Sequence, residues 1–275
     1  MLDIILDEFH FSTLWNGGIL LFGLFAAIIY LFLLPEEKNH SIWKTILFFT
    51  ALIVLFIAIG SPINVIARIK FSTHIIQLVL LLLVVPPLLI IGFKKKIIEK
   101  IRTISVLDKM IHMLTNPVVA IFLFQLSFYA YHIPMLFDYV RIDLFLNYIF
   151  LLGLFISALL LWIPIVSPGR QTSGQKLKYC ITNSLLLIPF SLLLFFASDS
   201  IYTIYSDIDA FIPALALCLP DYDTLTPEFF ETLLPFDPVN EQQLGGGILL
   251  VSQVVVFGGL LLLRQVRKHS YFPAA

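Results

Sequence analysis

Two histidines near the ends of apolar segments are the strongest candidates for chemistry in this sequence. His74 is followed three residues later by Gln77, and His132 is followed three residues later by Met135, within His-Ile-Pro-Met. Imidazole is the commonest protein ligand for copper and zinc, and a thioether favours Cu(I). These residues are therefore candidates for a metal site in which His74 and His132 form a pair of ligands and Met135 is a further ligand. The alternative is that each histidine only makes hydrogen bonds near a helix end.

The composition indicates which elements must position these side chains. The chain has 275 residues, of which 59% are hydrophobic and 13% are charged, and its net charge is −1. Soluble proteins average about 45–50% apolar and about 25% charged residues. The sequence therefore predicts an integral membrane protein in a lipid bilayer. It excludes soluble enzyme folds and proteins that bind nucleic acid through a basic face, so no nucleic-acid partner is expected.

Seven apolar segments are long enough to cross a bilayer, for which about 20 residues are needed. They run approximately over residues 16–34, 42–60, 73–92, 117–137, 143–166, 178–198 and 246–263. The predicted fold is an all-α, polytopic seven-transmembrane-helix bundle that forms a single membrane domain over residues 1–275.

The distribution of basic residues predicts the orientation of this bundle. Of the 17 Lys and Arg residues, all except Arg68, Lys70 and Arg141 fall on one side of the seven predicted spans. By the positive-inside rule that side is cytoplasmic. The N-terminus is therefore expected outside and the C-terminus in the cytoplasm.

Two connecting segments have a character of their own. Residues 94–115 alternate isoleucines with basic residues near helical spacing, which is typical of a basic amphipathic helix on the inner membrane surface. Residues 199–245 form a long acidic outer loop with several prolines. This loop is expected to fold over the outer mouth of the bundle.

Depth in the membrane brings the candidate polar residues together. His74 begins the third span at its outer end, and His132 lies close to the outer end of the fourth. Polar side chains within spans normally face the bundle interior and are functional candidates by default. The further members of this predicted outer-leaflet cluster are Gln77, Asn147, Asp199, Cys218 and Gln243. Cys218 would offer a thiolate as a further copper ligand.

Two adjacent prolines predict an irregular third span. Pro86 and Pro87 lack the N–H groups that would bond the carbonyls of Leu82 and Leu83 in a regular helix. In a bilayer those carbonyls need another donor. Simple kinking for packing is the interpretation that we favour for these prolines.

A set of short motifs resembles the CtaG family of cytochrome c oxidase assembly factors, in order and spacing, from about residue 15 to 265. The motifs are His74-Ile75-Ile76-Gln77, Val84–Gly92 with Pro86-Pro87, His132-Ile133-Pro134, Trp162-Ile163-Pro164, Cys218-Leu219-Pro220 and Gln243-Leu244-Gly245-Gly246. The resemblance implies a seven-helix protein of the bacterial plasma membrane that helps to mature a caa-type haem–copper oxidase. It implies oxidase subunits as partners, a role in placing copper, and His74 and His132 as the family's histidines.

The sequence departs from the family's pattern at two positions. Many relatives carry a second histidine where this chain has Leu78, and a histidine motif where it has Asn147. A site of three or four imidazoles is therefore not expected.

Two functions follow from these residues. The leading hypothesis is a non-enzymatic assembly factor that holds copper transiently. The alternative is a seven-helix intramembrane metal-dependent hydrolase, in which Ser72 and Asp199 would assist the histidines in activating water on zinc. Such chemistry usually needs a third histidine, which the predicted outer-leaflet cluster lacks.

Overall fold

The computed structural model describes residues 9–34, 41–94, 103–167, 171–216, 226–233 and 237–269, and every regular element in these ranges is a helix. In chain order the α-helices are α1 Phe11–Leu14, α2 Gly17–Ile28, α3 Ile42–Gly60, α4 Pro62–Ile69, α5 Phe71–Leu78, α6 Val85–Gly92, α7 Ser105–Leu114, α8 Pro117–Tyr131, α9 Pro134–Ile142, α10 Leu144–Val166, α11 Ser173–Phe195, α12 Ile208–Ala216, α13 Pro227–Leu233 and α14 Pro238–His269. Two π-helical segments, Ile29–Leu33 and Val79–Val84, continue α2 and join α5 to α6, and a 3-10 turn covers Thr203–Tyr205.

The number of membrane spans agrees with the prediction in part. Five helical stretches in the described residues are long and apolar enough to cross a membrane, namely Ile42–Gly60, Phe71–Gly92, Leu144–Val166, Ser173–Phe195 and Pro238–Gly259. Helices α7 and α8 together would make a sixth, bent by 69°. The predicted first span corresponds to a shorter apolar helix, Gly17–Leu33. The all-α membrane bundle is confirmed at five to six spans, and seven spans and their orientation stay predictions.

Two span boundaries differ from the expected ones. The predicted fourth span, 117–137, is interrupted, because α8 ends at Tyr131 and a new helix starts at Pro134, whose ring favours the first helical position. The last helix starts at Pro238 rather than near residue 246. The Asp237 carboxylate accepts a hydrogen bond from the Asn240 N–H (2.9 Å), which caps the helix at this earlier point.

The two connecting segments, residues 94–115 and 199–245, lie only partly within the described residues. In the predicted amphipathic segment, residues 95–102 lie outside the described residues, and α7 covers the remainder. In the predicted loop 199–245, residues 217–225 and 234–236 lie outside them, and α12, α13 and the start of α14 account for most of the rest.

Helix α14 packs closely against α11, and a glycine allows this approach. A Cβ atom at Gly246 would lie 2.6 Å from the carbonyl oxygen of Ser191 and 2.7 Å from the backbone nitrogen of Phe195. Any side chain there would separate the two backbones. Small residues have this role at helix contacts within membranes.

The irregular third span has a donor for one of its freed carbonyls. The indole N–H of Trp162, on α10, donates to the carbonyl oxygen of Leu82 at 2.8 Å. Pro86, four residues further along, has no N–H to offer that carbonyl. The contact joins the Trp162-Ile163-Pro164 motif across the core to Leu82, two residues before the Val84–Gly92 motif.

One end of the bundle is covered by the segment that follows α11. We call it the histidine end, defined as the end at which α5 begins and α8 ends. A small hydrophobic cluster closes it and is separate from the main core; its buried members are Phe9, Leu14, Val65, Ile69, Phe211, Leu215 and Phe230. The predicted loop therefore includes residues that fold over this end.

Candidate functional site

The two candidate histidines meet at the histidine end. His74 lies in the first turn of α5 and is fully buried, and His132 is the C-cap residue of α8 and is 4% exposed. Their ring centroids are 6.3 Å apart. The proximity that depth in the membrane suggested is therefore present in the structure.

His132 is held in one tautomer by the backbone. Its Nδ1 lies 2.7 Å from the carbonyl oxygen of Phe128, which can only accept, so Nδ1 carries the proton and Nε2 keeps a lone pair. That Nε2 is buried and has no hydrogen-bond partner among the described residues. Histidines that bind metals usually donate their second ring N–H to a carbonyl or carboxylate in this way.

The His74 ring also has unused hydrogen-bonding capacity. Within the described part of the chain, neither ring nitrogen makes a hydrogen bond of standard geometry, although the Gln77 amide is close enough to interact with the ring. The Gln77 Nε2 instead donates to the carbonyl of Ala58 and to the Asn64 Oδ1, each at 2.9 Å. His74 and Gln77 are therefore neighbours on one helix, while the amide N–H groups of Gln77 bond to other residues.

Two aromatic side chains complete what we call the histidine cluster, namely His74, Tyr131, His132 and Phe137. The Tyr131 ring lies 5.9 Å from that of His74 and 5.0 Å from that of His132, and the Phe137 ring lies 5.3 Å and 6.0 Å from the same two rings. The Tyr131 hydroxyl is buried and makes no hydrogen bond of standard geometry to a described residue, although the Arg141 guanidinium is close enough to interact with it. The cluster thus brings together imidazole nitrogens and a phenol with unused bonding capacity.

Two buried arginines lie beside this cluster and were missed as site residues by the sequence reasoning. The Arg141 Nη2 donates to the carbonyl of Ala67 (2.6 Å) and to the Tyr205 hydroxyl (3.2 Å). The Arg68 Nη1 donates to the carbonyl of Arg141 at 3.1 Å. Both guanidinium groups act electrostatically on His74. Their signal in the sequence was that, with Lys70, they are the only bases on the predicted outer side.

Asn147 is hydrogen-bonded to an arginine rather than to either histidine. It is buried at the start of α10, and its Oδ1 accepts from the Arg141 Nη1 at 3.5 Å. Asn147 therefore serves to fix a guanidinium.

Tyr202 and Tyr205 close the site; both lie in the segment that follows α11 and covers the histidine end, which we call the covering segment. The Tyr202 hydroxyl donates to the carbonyl of His132 (3.1 Å), and its ring stacks on that of Phe71 at 5.0 Å. The Tyr205 hydroxyl donates to the carbonyl of Ala67 at 2.9 Å. Burial raises the pKa of Tyr205 to about 12 and also raises the pKa of Tyr202, so both phenols remain protonated donors at neutral pH.

The remaining predicted site residues do not join the histidines. Met135 is 83% exposed at the start of α9. The Asp199 side chain is exposed and accepts from the Ser198 hydroxyl, and the Gln243 Nε2 donates to the carbonyl of Ala197 at 2.9 Å. Cys218 lies outside the described residues.

Ser72, which would assist the histidines in the hydrolase alternative, is hydrogen-bonded elsewhere. Its hydroxyl donates to the carboxylate of Glu241, which also pairs with Lys70 at 2.6 Å. Across the described ranges, no group of three or more His, Cys, Asp or Glu side chains is placed to hold a metal ion. The histidine cluster offers two imidazoles, and the zinc site of a hydrolase has no support.

The chain was compared with known proteins. No curated protein and no solved structure gave a significant match. A family profile described as cytochrome c oxidase caa3 assembly factor matches residues 24–268, a range that includes His74, His132, Trp162 and both buried arginines. The chain therefore belongs to the family of cytochrome c oxidase caa3 assembly factors.

Proposed function

We propose that this protein assists the maturation of a caa3-type cytochrome c oxidase by holding a copper ion transiently between His74 and His132. The observation that carries the proposal is the pair of buried imidazoles with ring centroids 6.3 Å apart, one of which has a fixed tautomer and an unpartnered Nε2. Copper is here the cargo of the protein and not a resident cofactor.

The separation of the two rings fits a single bridging ion. Two metal–nitrogen bonds of about 2 Å each, together with the distance from each ring centre to its own nitrogen, add up to roughly this separation. Binding at this separation requires one nitrogen of each ring to face the other ring.

The small number of ligands suits transfer rather than storage. Two neutral imidazoles hold a metal less firmly than a site of three or four ligands, and a carrier must release what it binds. The electrostatic influence of Arg68 and Arg141 on His74 also disfavours a cation there, which would further weaken binding. The chain would then act without catalysing a reaction of its own, as a donor to subunits of the oxidase.

The orientation of the bundle is part of this proposal. With seven spans in a bacterial plasma membrane and the C-terminus in the cytoplasm, as the basic residues indicate, the histidine end faces outward. The ion would then be held in the outer leaflet.

Copper binding by purified protein tests the proposal. We expect the wild-type protein to bind a single Cu(I), and His74→Ala and His132→Ala each to lose it. The control is His112→Ala, because His112 is exposed on α7 and outside the histidine cluster. Cells carrying each variant should show a parallel loss of caa3 oxidase activity. Binding that survives both substitutions, or that is equally lost in the control, would refute the site.

A further inference from the structure

A cleft of about 330 Å³ opens beside the histidine cluster, between α8 and α11. Its walls include Tyr129 and His132 from α8 and its C-cap, Phe190 and Leu193 from α11, and Tyr202 from the covering segment. Pro189 also lines it, at a point where a proline interrupts the bonding of α11. The cleft therefore lies at the histidine end and reaches one of the two histidines.

His132 is common to the cleft and to the histidine pair. It lines the cleft, and its ring is 6.3 Å from that of His74 and 4.5 Å from that of Phe190. A second described cleft, of about 540 Å³, lies along α14 near Phe195 and Gly247 and has no histidine in its lining. Of these two clefts, the one beside His132 touches a proposed copper ligand.

The lining restricts which copper species and copper ligands can enter this cleft. Its walls are mainly apolar and aromatic, so a hydrated or unliganded ion would lose much of its solvation there. A thiolate would bring a negative charge into the same apolar space. A methionine thioether is neutral, flexible and a good ligand for Cu(I), and it loses little on entering such surroundings.

We propose that the cleft is the port through which a methionine-bearing segment of a partner protein reaches copper at His132. This inference rests on the proposed function of the histidine pair. Transfer is a stepwise ligand exchange: one thioether sulfur binds copper as the bond from His132 to copper breaks, and a second thioether of the segment then replaces His74. The ion stays Cu(I), and no proton needs to move, because the sulfur and the imidazole nitrogen are both neutral donors.

Narrowing the cleft tests this route. Leu193 lines it and is 57% exposed, so Leu193→Trp adds bulk to the opening without disturbing the core. The matched control is Leu244→Trp, at a residue that lines the second cleft and is 53% exposed. The probe is a synthetic peptide with a pair of methionines, which receives Cu(I) from the purified, loaded protein in detergent.

The proposal predicts a kinetic effect. Leu193→Trp should slow both loading from the peptide and release to it by about tenfold with unchanged Cu(I) affinity, because a narrowed port changes rates and not the bound state. Leu244→Trp should match the wild-type protein. Unchanged rates in Leu193→Trp, or equal slowing in both variants, would overturn the port.

The two proposals fail in different ways. A wild-type protein that binds no Cu(I) refutes the histidine site, and the port falls with it. A protein that binds Cu(I) through His74 and His132 but transfers it equally fast with Leu193→Trp refutes only the port.

Discussion

Buried polar side chains differ in their hydrogen bonding between the two ends of the bundle. At the end where α6 finishes and α11 begins, the Tyr30 hydroxyl donates to the carbonyl of Gly92 (2.9 Å), the Lys94 ammonium to that of Leu34, and the Lys176 ammonium to that of Ile165. At the histidine end, ring nitrogens of both histidines and the Tyr131 hydroxyl are buried without a standard hydrogen bond to the described residues. Side chains donate to helix carbonyls at both ends, as Tyr202 and Arg141 do at the histidine end, but the buried imidazole nitrogens and phenol with spare bonding capacity lie at the histidine end.

This difference bears on function because an unmade hydrogen bond costs free energy. Leaving a buried donor or acceptor unsatisfied costs about 1–3 kcal/mol. Amides carry most of the other buried side-chain atoms without a standard hydrogen bond in the described residues, namely Gln77, beside His74, and the separate Gln125, Gln171, Asn183 and Gln253. The histidine cluster is therefore the place where a bound ligand would recover the most.

The largest effect is expected at Arg141, which stands beside the histidine cluster but is itself well bonded. Arg141→Met should lower the free energy of unfolding by about 3 kcal/mol, because bonds to the carbonyl of Ala67 and to Tyr205 are lost inside the bundle. Unfolding of the purified protein in mixed micelles measures this. A variant as stable as the wild-type protein would show that the guanidinium does not hold α4 to α9.

Trp162 tests the irregular third span. Trp162→Phe should cost about 2 kcal/mol, because the carbonyl of Leu82 loses the indole donor and part of the stacking on Phe257 is lost. Trp43→Phe is the control, since Trp43 is largely exposed. Equal stability of the two variants would contradict the assigned role of the indole.

Two fully buried tyrosines sharpen the comparison of the ends. Tyr30→Phe should cost about 1 kcal/mol, because the carbonyl of Gly92 loses its donor, whereas Tyr131→Phe should cost nothing or stabilise the protein. Both substitutions remove a single hydroxyl. If Tyr131→Phe destabilised the protein as much as Tyr30→Phe, the ends would not differ as described.

The smallest effect on stability is expected at His74. His74→Leu should leave the free energy of unfolding unchanged or raise it slightly, because it removes two buried nitrogens without standard hydrogen bonds. The same variant should lose copper. A marked loss of stability in metal-free protein would indicate a structural role for this imidazole.

The sequence predicted the pair of histidines but not their surroundings. The depth of His74 and His132 within apolar segments placed both at one end of the bundle, and Pro86 indicated that the carbonyl of Leu82 would need another donor. That Trp162 is this donor depends on which faces of the helices meet, which spacing along one chain does not specify.

The burial of the two arginines and the start of the last helix were not predicted from the sequence. Arg68 and Arg141 entered only as charges on the outer side, although an isolated base between apolar segments is a candidate for a buried, bonded group. The Asp-Pro pair at residues 237–238 signals a helix start, but hydropathy alone set the last span eight residues later. Met135 was placed near His132 by spacing, and the break at residues 132–133 leaves its side chain exposed.

X-ray absorption spectroscopy of the Cu(I)-loaded protein tests the central claim most directly. The account predicts two nitrogen neighbours at about 2 Å, with the signature of imidazole rings, and their loss in both His74→Ala and His132→Ala. Copper that is surrounded by sulfur, or whose nitrogen neighbours persist in both variants, would contradict the histidine pair as the copper site.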